Sequence, residues 1–275
     1  MWDNLINIFS YAFMVRAIIV GIAVAISSSF LGSFLVLRNY SMIGHGLAHV
    51  SFGAVAVALF FNQTPILVTI PIVVAASLFI LYLSENSSIG GDASIGLFSS
   101  VALAMATILS SVRGGFSTDL DSYLFGSILL LNSLDVWIAW GVTIIVVGVM
   151  IFYYDELFVS TFDESYARVN RPQIGRINIV LAVLAAVIIT VGIQSIGVLL
   201  ISAMVIFPAV IALQFRFGFR NTILLSVVIS VINVLLGIIA SFVLNLPTGS
   251  TIVMISAVVL FIAYVSNNIV QGAEG

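Results

Sequence analysis

Apolar residues fill stretches of membrane length along this chain, and polar residues are confined to short punctuation between them. The runs extend from about Tyr11 to Leu37, His45 to Phe61, Pro65 to Leu83, Ala93 to Ser111, Leu134 to Tyr153, Ile177 to Ile193, Ile196 to Leu213, Thr222 to Leu244 and Ser250 to Val270. Runs of roughly twenty apolar residues without dyad alternation favour transmembrane helices over a barrel, because a helix satisfies its own backbone hydrogen bonds inside lipid. The pattern therefore predicts an all-α polytopic bundle of about 8–9 spans in one domain covering residues 1–275.

The punctuation adds detail. Arg38-Asn39-Tyr40 is an arginine-aromatic stop suited to a membrane boundary. Ser27-Ser28-Ser29 and Gly32 are small residues that permit close helix contact, and Arg16 is expected to snorkel to the headgroups. Ser84 to Asp92 reads as a polar turn, and Asn245 to Gly249 as a tight one. After Ser117-Thr118-Asp119-Leu120-Asp121-Ser122, the segment Tyr123 to Leu131 is too short to cross squarely and reads as a re-entrant half-helix. The second span is short and opens with glycines, a pattern of broken helices that line cavities. The longest polar interruption, about 155–176, carries seven of the chain's charged residues.

With 62% hydrophobic and 7% charged residues, an ordinary soluble protein is excluded. Cysteine is absent, so thiolate ligands and disulfides are unavailable to the fold. Every basic residue is arginine, which rules out a Walker A lysine; any ATP that drives this protein is hydrolysed by another polypeptide, and no enzymatic activity or tightly bound cofactor is expected. A net charge of −3 gives no basis for a nucleic-acid partner. The N-terminus lacks a basic n-region, so no cleavable signal is expected. Loops holding Arg38, Arg168, Arg171, Arg176, Arg216 and Arg220 fall on one side if the half-helix does not cross; that side is read as the cytoplasm.

The only two histidines, His45 and His49, lie four residues apart. On a helix they share a face one turn apart, so both imidazoles can address one ion. Zinc prefers four ligands, and a second copy related by a two-fold axis would supply the other two, giving a homodimer with metal between protomers. Asp121 or Glu85 could instead complete a site within one chain. The spacing is not His-Glu-x-x-His, since Gly46, Leu47 and Ala48 intervene, which excludes a zincin. Within the polar interruption, Phe162, Tyr166 and Val169 fall on one helical face, while Asp163 and Glu164 precede Arg168 in the order that favours pairing. A short amphipathic helix there could dock into a partner's groove.

Three segments together, Leu37 to Ser51, Ser160 to Glu164 and Gln194 to Leu200, resemble the permease subunit of zinc and manganese ABC importers. The likeness extends over nearly the whole chain. It implies a multi-pass permease dimer in the cell membrane, bound to two copies of a cytoplasmic ATP-binding subunit and fed by an extracellular metal-binding lipoprotein. It also implies that His45 and His49 hold the transported ion and that the loop containing Phe162, Asp163, Glu164, Tyr166, Ala167 and Arg168 is the coupling helix to the ATPase. The first site position is aspartate in many members of that family. His45 in its place tilts the expected cargo toward Zn2+, with Mn2+ second. The segment commonly ends in glycine, where Asn170 stands here; asparagine tolerates the left-handed conformation that stops a helix. The competing reading is an ATPase-independent metal channel or proton-coupled carrier, and a third is a non-transporting scaffold that holds a partner through the polar loop. Neutral imidazoles are needed to bind a cation, so uptake is expected to weaken as pH falls through the histidine range.

Overall fold

The computed structural model describes residues 11–38, 40–86, 91–112, 123, 124, 126, 131–163 and 174–274. Among these, ten helices follow in order: α1 Ala12–Leu37, α2 Ser41–Phe60, α3 Pro65–Asn86, α4 Gly91–Val112, α5 Ser133–Phe152, α6 Tyr154–Phe162, α7 Ile174–Ile196, α8 Val198–Gln214, α9 Phe219–Leu244 and α10 Thr248–Glu274. Eight of them are long and apolar enough to cross a membrane, and α8 is a shorter apolar helix.

Burial sorts them into two classes. Most of α1, α2 and α7 is enclosed, and more than half of the residues of α8 are buried, so these four form the centre. The flanking α3, α4 and α5 keep large apolar residues on the outside, including Leu67, Val101, Trp137 and Ile144. In water such a surface would drive aggregation, but lipid tails are as apolar as these side chains and impose no such penalty. Association within the bilayer must then come from close packing and interhelical hydrogen bonds. The latter include Ser29 with Ser226 at 2.9 Å, Thr143 to the Ala23 carbonyl at 2.8 Å and Asn233 to Ser256 at 3.1 Å.

Close packing rests on glycine. A Cβ on Gly32 of α1 would lie 2.0 Å from the Val205 carbonyl oxygen of α8, so only glycine allows these two backbones to meet. Gly46 and Gly53 do the same for α2 against α4, where added Cβ atoms would meet Ile95 at 2.2 Å and the Ala102 carbonyl at 2.8 Å. The glycines of α2 thus serve helix contact, and α2 runs as an unbroken α-helix from Ser41, four residues earlier than the apolar pattern predicts.

Between α7 and α8 there is one residue, Gly197, at φ +90°. The chain folds back there: a Cβ on Gly192 would meet the Ile201 side chain at 2.4 Å. Gly126, at φ +76°, packs on this corner, with its missing Cβ 2.2 Å from the Ile196 carbonyl oxygen. It belongs to the expected half-helix, of which only Tyr123, Leu124, Gly126 and Leu131 fall within the described residues. Arg16 does not merely snorkel: its guanidinium donates to the Leu131 carbonyl at 3.2 Å, tying α1 to the entry of α5.

The polar interruption after α5 opens with a helix that the charges obscured. In α6, Tyr154, Leu157 and Phe158 recur at helical spacing, and Asp155 and Glu156 occupy its first turn, where carboxylates suit the positive end of the helix dipole. Its aromatic side meets α1 and α9, with Tyr154 and Phe219 both edge-on to buried Phe34 at 6.5 and 5.4 Å. These contacts bring α6, the end of α1 and the start of α9 to the end of the bundle that carries Arg38, Arg216 and Arg220.

Candidate metal site

His45 and His49 stand on consecutive turns of α2, in the half nearest the arginine-bearing end. Helical geometry brings their rings to a centroid separation of 4.5 Å, with planes at 90°. The two Nε2 atoms lie 3.1 Å apart. Two nitrogens bound tetrahedrally to one zinc, each at about 2.0–2.1 Å, would be about 3.3–3.4 Å apart. The pair is thus within a few tenths of an ångström of a chelating arrangement. His45 is exposed and His49 partly so, which leaves the convergent Nε2 edge on an outer surface of the protomer. The Nδ1 of His49 is buried and makes no hydrogen bond among the described residues.

The glycines explain why this edge faces outward. Gly44 abuts Val205 of α8 at 3.1 Å from a notional Cβ, and Gly46 abuts Ile95 of α4. Those contacts fix the rotation of α2, and the histidines fall on the remaining side. Among the described residues no group of three or more histidine or acidic side chains converges, so one protomer offers two ligands there. Of the acids that could complete a site within the chain, Asp121 lies outside the described residues. Glu85 is engaged elsewhere: it accepts from Asn178 at 2.8 Å, and Asn178 in turn accepts from Arg38 at 2.8 Å.

That chain links three elements. Asn178 on α7 is 4% exposed and bridges the end of α1 to the end of α3, while Arg38 also stacks over the Tyr40 ring at 5.6 Å. A sequence reading takes Arg38 as a membrane stop and Glu85 as loop; Asn178 inside an apolar span was the signal that they meet. Replacing Asn178 by alanine removes both bonds and leaves a partly buried guanidinium less satisfied. The expected loss is about 1–3 kcal/mol, read as a lowered thermal midpoint of the purified protein in detergent.

Of the expected coupling residues, Phe162 is the last residue of α6, 65% exposed, with its ring 4.9 Å from Phe158 and 5.6 Å from Phe219. Asp163 follows in extended backbone as the C-cap, so the helix ends at Phe162 and does not run from it into Asp163. Glu164, Tyr166, Ala167 and Arg168 lie outside the described residues.

An all-α bundle of membrane-length helices defines a polytopic membrane protein. The chain belongs to the ABC 3 transport family, which it matches over residues 10–267, and it is a multi-pass protein of the cell membrane. It is 29% identical over 258 residues to the manganese transport system membrane protein MntC of Listeria monocytogenes, covering 94% of this chain and 92% of that protein. It is 31% identical to the manganese import system permease protein ScaB of Streptococcus gordonii over 254 residues, covering 92% and 91%. Among solved structures, PsaBC from Streptococcus pneumoniae in complex with Fab superposes with a TM-score of 0.85 at 29% identity, covering 95% of this chain and 94% of that one.

Proposed function

We propose that this chain is the membrane permease of an ATP-driven importer of divalent transition metal, and that manganese takes precedence over zinc as its cargo. The observation that carries the reading is the convergence of His45 and His49 Nε2 atoms at 3.1 Å on an exposed edge, within a chain of the ABC 3 transport family. Similarity to MntC and ScaB, both named for manganese, supports the cargo. Zinc is the second reading, favoured by the donor set: two nitrogens and no carboxylate suit zinc better than the harder manganese ion.

A twin protomer meeting this one across the His45/His49 edge supplies the missing ligands, and ATP hydrolysis resides in a separate cytoplasmic subunit reached through Phe162 and the loop that follows. The absence of lysine supports that division, since the chain has no residue for a Walker A motif. Delivery by an extracellular metal-binding protein completes the path. Binding of the cation requires unprotonated imidazoles, so uptake falls as pH drops through the histidine range.

The test is ATPase stimulation in the reconstituted complex, with manganese and zinc titrated in parallel. Half-maximal stimulation at lower free manganese than zinc is expected. Stimulation by zinc alone would install the second reading, and transport that persists without any ATPase would remove both in favour of a channel or proton-coupled carrier.

A further inference from the structure

Away from the histidines, an open groove of about 450 Å³ lies at the arginine-bearing end, between α1, α5, α6 and α9. Its walls are of two kinds. Phe30, Ile151, Phe152, Ile223 and Leu224 are apolar, and Tyr154, Asp155 and Arg220 gather polar groups around the same opening. Phe152 at 78% exposure and Leu224 at 53% form lips that face outward where α5 ends, as befits contact with acyl chains. Arg220 and Asp155 both act on the Tyr154 hydroxyl. Partial burial pushes that phenol above its ordinary value, Arg220 pulls it down and Asp155 pushes it up.

A cation and an anion beside an apolar channel at a membrane boundary complement a ligand with the same three features in opposite sense. We propose that this groove binds a glycerophospholipid with a zwitterionic primary-amine headgroup: phosphate on the Arg220 guanidinium, ammonium on the Asp155 carboxylate, and acyl chain along Phe152 and Leu224. A purely anionic lipid would meet Asp155 unfavourably, and a quaternary ammonium would offer that carboxylate no N–H to accept.

The chain contains no cysteine, so a single Val228→Cys change carrying a fluorophore, one turn beyond Leu224 on the same face of α9, reports on the groove, and Ile262→Cys on the exposed side of α10 reports on bulk lipid. The full-length permease is placed in phosphatidylcholine nanodiscs containing a minor fraction of phosphatidylethanolamine brominated on its chains. Quenching at Val228 is expected to show about tenfold enrichment of phosphatidylethanolamine over the bulk site, the factor that 1.4 kcal/mol represents. Arg220→Gln should erase the enrichment. Asp155→Asn should equalise phosphatidylethanolamine with brominated phosphatidylcholine while keeping lipid in the groove. Equal quenching at both reporters, or enrichment unchanged in an Arg220→Gln protein of normal helicity and elution volume, overturns the proposal. Loss of quenching on adding the ATP-binding partner overturns it too, since the groove would then be a protein contact.

Discussion

Metal uptake into proteoliposomes falls to the level of protein-free vesicles when His45 and His49 are both replaced by alanine, while the variant still assembles with its ATP-binding partner. This effect is expected to be large because one protomer contributes only these two donors among its described residues, and each protomer of a pair would lose both. The 3.1 Å Nε2 separation means that the fold itself holds the pair near its chelating geometry, so little ordering remains to be done on binding. Alanine at either position leaves α2 intact, since its rotation is fixed by Gly44, Gly46 and Gly53 and not by the imidazoles. His45→Asp should behave differently from His45→Ala: a carboxylate restores a donor and moves preference from zinc toward manganese. Parallel uptake of the two metals by the three variants checks this. Unchanged selectivity in the aspartate variant would show that the donor at this position does not set the choice.

The second large effect concerns assembly. Gly32→Ala is expected to destabilise the permease by about 3 kcal/mol or more, because the new methyl collides with a backbone carbonyl that cannot rotate away. The obstacle is the Val205 oxygen, 2.0 Å from the added atom. Gly21 provides the contrast on the same helix: its added Cβ would meet the ends of Val234 and Ile238 side chains at 2.9 and 3.2 Å, which can shift, so Gly21→Ala costs much less. Gly148, with open space around it, should accept alanine with a gain of roughly 0.5–1 kcal/mol from backbone entropy and helix propensity. Thermal midpoints of the three proteins in one detergent should rank Gly148→Ala, Gly21→Ala, Gly32→Ala from highest to lowest.

Much of this architecture is legible in the sequence because a bilayer leaves so few choices. Apolar runs of full span length had to be helices, and their ends agree with α1, α3, α4, α5 and α9 to within a few residues. The histidine spacing gave the shared face directly, since four residues on an α-helix is one turn. Other features were hidden by the same physics. Gly44 and Gly46 suggested a broken helix, but glycine permits both a break and a close contact, and only the positions of Val205 and Ile95 decide between them. Glu85 looked like a solvated loop acid because its partner Asn178 stands 93 residues away, and Asn178's own donor Arg38 stands 140 residues from Asn178. The helix α6 was masked by Asp155 and Glu156, whose charges fit a first helical turn as well as they fit a loop. Which face of the bundle meets a second copy is not written in hydropathy at all, because lipid and a twin protomer ask for the same apolar surface.

In the proposed function the imidazole pair binds the transported ion jointly with a twin subunit. Equilibrium binding of manganese to the purified, full-length permease, measured alongside its oligomeric mass, tests that most directly. One ion per pair of chains is expected, lost entirely in the His45→Ala/His49→Ala protein although the pair still forms. One ion bound by each separate chain, or binding unaffected by the double substitution, would contradict it.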